Sequence, residues 1–83
     1  MTVLYFAWVR ERVGISEETV SPPPEVKTVD DLVDWLAKRS AGHAAAFANR
    51  KSVKAAVDQV HAPGGASIAA AKEVAFFPPV TGG

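Results

Sequence analysis

From Thr2 to Val9 nearly every position is apolar or aromatic, with no glycine or proline, and this predicts a β-strand. Strand side chains alternate between faces, so Val3, Tyr5, Ala7 and Val9 fall on one side and Leu4, Phe6 and Trp8 on the other. Apolar character on both sides predicts a central strand whose second face is covered or kept for a partner. Arg10-Glu11-Arg12-Val13-Gly14 reads as a polar exit with a glycine turn, and Glu17 to Val20 as a shorter strand returning as a hairpin. Pro22, Pro23 and Pro24 end it, because proline cannot donate to a ladder. The period then changes. Val29, Leu32, Val33 and Leu36 recur at i, i+3, i+4 and i+7, with Trp35 at the stripe's edge, and predict a helix from about Val29 to Ser40. Thr28 is its N-cap, Asp30 and Asp31 suit the positive end of its dipole, Lys38 and Arg39 fall in its last turn, and Gly42 is its expected stop. Ala44 to Ala48 predicts a short helical turn, Val53 to Val57 a strand, Asp58-Gln59 a break, and Val60-His61 a brief strand. Pro63-Gly64-Gly65 is a turn, Ala69 to Ala71 is locally ambiguous, and Lys72 to Phe77 closes the fold as a strand. On that last strand Val74 and Phe76 share one face, Ala75 and Phe77 the other.

A hairpin, a crossing helix and further strands give an α+β fold, one mixed sheet with a main helix packed across it. That order fits the β-grasp, or ubiquitin-like, roll, in which the first and last strands lie side by side in parallel. Residues 1–83 form one domain, with 78–83 projecting as a tail. A domain of this size buries only ~60% of the surface its unfolded chain exposes, so its stability is modest. Nine basic residues balance nine acidic ones, which argues against a polyanion-binding field and hence against nucleic acid. No apolar run approaches the ~20 residues that span a bilayer, and the opening residues lack a secretory leader's features, so no membrane partner and a cytoplasmic location are expected.

The chain has no cysteine, which removes disulfides, thiolate metal sites and thiol nucleophiles together. His43 and His61 belong to no ligand or acid–base motif, and Asp30, Asp31 and Asp34 are better read as a helix start and its solvated face. No resident metal or cofactor and no autonomous catalysis are expected. The remaining chemistry lies at the end: Phe76-Phe77-Pro78-Pro79-Val80-Thr81-Gly82-Gly83. Two glycines give a bare carboxylate a slender neck, and two prolines stiffen its stalk. Six residues, Pro78 to Gly83, reach roughly 19 Å in an extended polyproline-like form at ~3.1 Å per residue. Glycine is costly to order, so its use at the tip implies a slot too narrow for a β-carbon. The plain alternative is a frayed, inert terminus. Phe77, pointing away from the helix, is expected to share an open face with Phe6 and His61 and to form a docking surface; the alternative is that Phe77 is core. A carboxylate delivered this way becomes an acyl donor once joined to AMP, and sulfide or a persulfide then converts it to a thiocarboxylate.

The run Val74 to Gly83 resembles the C-terminus of the small, sulfur-carrier subunits of molybdopterin synthase. Leu4-Tyr5-Phe6-Ala7 with Val9-Arg10-Glu11 and Gly14, and the segment Ala56-Val57-Asp58-Gln59, resemble the same family's first strand and internal turn. The resemblance implies that Gly83 is adenylated by a separate ATP-using enzyme and becomes a thiocarboxylate with sulfur from a donor protein. It further implies that the tail enters the large synthase subunit, where sulfur passes to cyclic pyranopterin monophosphate, within a heterotetramer. Carried over by position, Gly83 is the acyl carrier and Gly82 its neck. Phe77, Pro78, Pro79, Val80, Thr81, Phe6 and His61 belong to the docking face and stalk, and Arg10 adds a polar contact. Ala70-Ala71-Lys72-Glu73-Val74 stands where the family usually has an acidic, glycine-containing turn, Asp58 replaces the usual Asn, and His61 replaces an aliphatic residue. Rival readings are a carrier for another pathway (thiazole or tungsten cofactor), a ubiquitin-like modifier of lysines, and an interaction domain with an inert end.

Overall fold

The computed structural model describes residues 1–79. Val80, Thr81, Gly82 and Gly83 lie outside the described residues, and with them most of the expected tail. The elements are β1 (Thr2–Tyr5), α1 (Ala7–Val13), β2 (Glu17–Thr19), α2 (Val29–Ala37), α3 (Ala41–Ala46), β3 (Lys54–Val57), β4 (Val60–Ala62) and β5 (Glu73–Phe77), with a 3-10 turn over Arg50–Ser52. The strands form one sheet in the order β2-β1-β5-β3-β4. β1 and β5 are parallel neighbours at its centre, Tyr5 opposite Phe76, and the other pairings are antiparallel. This is the mixed β-grasp sheet the pattern predicts.

The first strand is shorter than its apolar run suggests. β1 stops at Tyr5, Phe6 is still extended at φ −124° and ψ 153°, and Ala7 turns the chain at φ 53° into a helix. Ala7, Trp8 and Val9 are therefore not strand positions, and Arg10 to Val13 are helical rather than a polar exit. Val9 and Val13 stand four apart on the helix face turned to the core, Arg and Glu between them are good helix formers, and Gly14 caps the end. Gly14 has φ 97°, a left-handed conformation that only glycine takes without strain, and its N–H donates to Arg10 O at 2.8 Å.

α2 begins as expected. Thr28 Oγ1 accepts from the Asp31 N–H at 3.1 Å, and Asp31 Oδ2 accepts from the N–H groups of Lys27 (3.1 Å) and Thr28 (3.2 Å). Those bonds, that from Lys27 first, hold the Asp31 carboxyl below its ordinary range. The helix ends at Ala37, not Ser40, because Ser40 serves instead as the N-cap of α3, accepting the His43 N–H at 3.1 Å. Gly42 is accordingly not the stop of α2 but part of α3. A β-carbon there would come within 2.5 Å of Arg12 O and 3.0 Å of Val13 O, so the glycine lets α3 press directly on the end of α1.

Between helices and sheet, Val3, Tyr5, Val9, Leu32, Leu36, Val74 and Phe76 are almost wholly buried. Phe76 stacks on Tyr5 (centroids 6.3 Å, 18°) and meets Phe47 edge-on (5.0 Å, 76°). Polar groups at one border of this core are fully paired. Tyr5 Oη donates to Glu18 Oε2 at 2.7 Å, His43 Nε2 lies 2.7 Å from the same oxygen, and Arg39 Nη2 donates to Glu18 Oε1 at 3.2 Å. His43 Nδ1 contacts Ser40 Oγ at 2.7 Å, so the imidazole is a buried brace between β2 and α3. Burial, followed by the hydrogen bond to Glu18 and its charge, pushes the Tyr5 phenol well above its usual value. Burial also acts to raise the Glu18 carboxyl, but the hydrogen bonds from His43 and Tyr5 and the charges of His43 and Arg39 outweigh it, and the carboxyl is held low. A carboxyl depressed in the folded state adds stability that is complete above its unfolded value, about 4.3, and is lost as pH falls through the folded value. Denaturation midpoints measured from pH 6 downward are therefore expected to fall below about pH 4, and to fall less steeply in Glu18→Gln. Parallel slopes for the two proteins would contradict this assignment.

Candidate functional site

The sheet's other face is built by parity. β1 contributes Leu4, β5 contributes Ala75 and Phe77, β3 contributes Lys54 and Ala56, and β4 contributes His61. Ala56 lies opposite both Ala75 and His61, and Lys54 lies opposite Phe77. Small alanines thus floor a shallow face whose relief comes from Leu4, His61 and Phe77. The rings of His61 and Phe77 meet edge-to-face with centroids 5.3 Å apart. Val74 and Phe76 point into the core at 0% and 1% exposure, so Phe77 must point out, and it is half-buried. The alternative that Phe77 is core is thereby removed.

Phe6 joins this face by a different route from the one expected. It is no longer in the strand, yet its N–H donates to Phe76 O at 3.0 Å and its backbone remains extended. Its side chain therefore projects opposite to Tyr5, on the side of Leu4 and Phe77, and is 47% exposed. Phe6, Phe77 and His61 are brought together as expected. Arg10 is not on the sheet. It is exposed on α1, and its N–H donates to Phe6 O at 3.4 Å.

Pro78 and Pro79 are half-buried. They form one wall of an open groove whose other wall is Trp8, Arg12, Asn49 and Ser52, so the stalk is rooted against α1 and the 3-10 turn. Trp8 and Arg12 were not legible as site residues, since the apolar run placed Trp8 on a strand. The usable signal was Gly14, with the four-residue spacing of Val9 and Val13 before it. Asp58 has a structural role that its local sequence does not reveal. With Gln59 it turns the β3–β4 hairpin at positive φ (48° and 71°), and its Oδ1 accepts the N–H groups of Lys72 and Glu73, both at 2.9 Å. That carboxylate anchors the start of β5, where the Ala70-Ala71-Lys72 segment has no glycine turn of its own. Among the described residues, no cluster of His, Asp or Glu is arranged to hold a metal ion, and no helix is long and apolar enough to cross a membrane.

An outward aromatic at the end of a central strand, leading straight into a proline stalk, is the geometry against which relatives can be compared. The family model described as ThiS family matches residues 3–83. The chain belongs to the ThiS family. It is 41% identical over 81 residues to the molybdopterin synthase sulfur carrier subunit of Escherichia coli, covering 98% of this chain and 96% of that one. It is 31% identical over 83 residues to the protein of the same name from Haemophilus influenzae, covering 100% and 99%. Among solved structures it resembles SAMP1 from Haloferax volcanii, with a TM-score of 0.72, 28% identity and coverage of 100% and 98%. A putative molybdopterin converting factor subunit 1 from Pyrococcus furiosus gives the same TM-score and identity over 95% of each chain. The ThiS-family assignment matches the sulfur-carrier resemblance carried by the C-terminal motif.

Proposed function

We propose that this chain is the sulfur-carrier subunit of a molybdopterin synthase and that Gly83 ends it as a free, activatable carboxylate. The observation supporting this most directly is Phe77-Pro78-Pro79: the strand's last side chain faces an open apolar patch while the next two residues begin a stiff stalk. In the proposed cycle, a Gly83 carboxylate oxygen attacks the α-phosphate of ATP on a separate adenylating enzyme and pyrophosphate leaves. A sulfide equivalent from a donor protein then displaces AMP, leaving a thiocarboxylate. The tail carries it into the large subunit, whose own residues do the chemistry that moves sulfur to cyclic pyranopterin monophosphate. Once sulfur is bonded to the pterin carbon, water hydrolyses the resulting thioester to Gly83 and returns the carboxylate, so the carrier is reused. ATP is a substrate of the activating enzyme and no cofactor resides on the carrier.

The reading is tested by supplying the thiocarboxylated chain to the large subunit with the cyclic precursor. Formation of the dithiolene, in step with return of the carboxylate, is expected. A thiocarboxylate that stays intact while the large subunit is shown to bind both components would overturn the reading. Sulfur delivered only to a thiazole precursor, or Gly83 found in amide linkage to lysines, would favour the rival readings. The docking face makes a separate prediction. Phe77→Ala removes a half-buried ring from the centre of the patch without touching the core, and is expected to weaken binding to the large subunit by about 10–100-fold. Titration calorimetry checks this, with the melting temperature as a control for folding; unchanged affinity would remove Phe77 from the interface.

A further inference from the structure

The chain has no net charge, yet its basic residues are not evenly placed. Five of the nine, Arg10, Arg12, Arg50, Lys51 and Lys54, sit at the end of the sheet from which the tail departs: on α1, on the 3-10 turn and on the first residue of β3. The register fixes this, since Lys54 lies opposite Phe77 and Tyr5, just before α1, lies opposite Phe76. Glu11, Glu17, Asp30 and Asp34 are acidic residues on the same end; Asp34 pairs with Arg50, and Asp30 lines a pocket with Arg50 and Lys54. At the far end stand Asp58 and Glu73 with Lys72, Lys27 and the Met1 ammonium. The two ends therefore carry similar net charge, and what sets the tail end apart is local: Arg12 lines the groove beside the prolines, and Lys51 stands next to Ser52 in the same lining.

At that end of the sheet Trp8, Arg12 and the two prolines line an open groove of about 460 Å³. The Arg12 guanidinium lies 4.4 Å from the centre of the Trp8 ring, a cation–π contact that orders an otherwise mobile exposed side chain. A preordered cation loses less side-chain entropy when a carboxylate meets it.

We propose that this rim is a second contact surface, separate from the Leu4, His61 and Phe77 face, and that it meets an acidic border around the opening through which the large synthase subunit takes the tail. The proposal rests on the sulfur-carrier reading for the identity of the partner. Covalent geometry supplies the reason that something must cover the rim. Four residues follow Pro79, and four residues can span at most roughly 14 Å. A carboxylate on so short a tether reaches a buried reaction centre only if the partner's surface closes on the surroundings of Pro79. Those surroundings are Trp8, Arg12, Asn49 and Ser52. Charge then selects the chemistry of the border, because a basic rim pressed against another basic surface would oppose every insertion.

The test is the association rate of the full-length chain, in its carboxylate form, with the large subunit by stopped-flow at low and at high salt. Arg12→Glu is expected to slow association about 5–10-fold at low salt, with the difference closing as salt screens the pair. Arg12→Gln should fall between it and the parent. Lys72→Glu makes the same change in net charge at the opposite end of the sheet and is expected to alter the rate less than about twofold. Equal effects of the Arg12 and Lys72 charge reversals, or an Arg12→Glu effect that persists unchanged at high salt, would overturn the proposal while leaving the carrier reading intact. Absence of any binding by the parent chain would overturn both. A parent that binds but never accepts sulfur would sink the carrier chemistry alone.

Discussion

A chain ending at Gly82 is expected to accept no sulfur, and to melt at the same temperature as the parent. The two halves of that result come from different parts of the molecule. Stability resides in the packing of Val3, Tyr5, Val9, Leu32, Leu36, Val74 and Phe76, all placed before the proline stalk. Reactivity, in the proposed cycle, resides in one carboxylate whose position is set by counting residues from Pro79. Shortening the tail by one residue withdraws that carboxylate by roughly 3.3–3.6 Å. Misplacement by even ~1 Å can cost ~100-fold in an active site, so any residual activity is expected to stay below about one-hundredth of the parent. Extension beyond Gly83 should be equally damaging, because the added peptide bond removes the carboxylate from its place. The assays are thiocarboxylate formation and pterin sulfuration in cells lacking the parent gene. Growth supported by either variant without trimming would contradict the account.

Phe76→Ala is expected to have the opposite profile, leaving the tail's sequence intact and losing the fold that aims it. The Phe76 ring is 1% exposed, stacked on Tyr5 and edge-on to Phe47, in the strand that joins β1 to β3. Truncating such a ring costs about 3–5 kcal/mol. A domain this small has a total stability near the low end of ~5–15 kcal/mol. The substitution therefore removes most of the margin, and a fall in melting temperature of about 15 °C or more is expected. A fall of less than about 5 °C would show that the aromatic cluster is not the centre of the core. Phe76 also fixes the outward direction of Phe77 by parity, so binding to the large subunit should fail together with stability.

The legible and illegible parts of the sequence divide along physical lines. α2 could be read closely because a capping box, an acidic first turn and a 3.6-residue apolar stripe all agree. β5 could be read down to the facing of each side chain because alternation has one register in a sheet with a buried side. α1 could not. Its residues follow the strand without a break in apolar character, and a run such as Tyr5 to Val9 satisfies a period of 2 as well as a helix face. What decided the matter was tertiary: Gly42 lets α3 sit against the end of α1, and that contact favours a helix there. Ser40 fits the end of one helix by local propensity yet caps the next, a boundary that propensity does not resolve. Of the candidate site, the Phe6, His61 and Phe77 patch was visible because strand parity projects it. The Trp8 and Arg12 groove was not, because it depends on α1.

The central claim is that Gly83 is the acyl carrier, and intact-mass analysis tests it most directly. The purified chain is incubated with ATP, its adenylating enzyme and a sulfur source, then weighed. The account predicts a gain equal to the exchange of one oxygen for one sulfur, located by fragmentation at Gly83 and absent when ATP is withheld. An unchanged mass, with the adenylating enzyme shown to be active on another carrier, would contradict it.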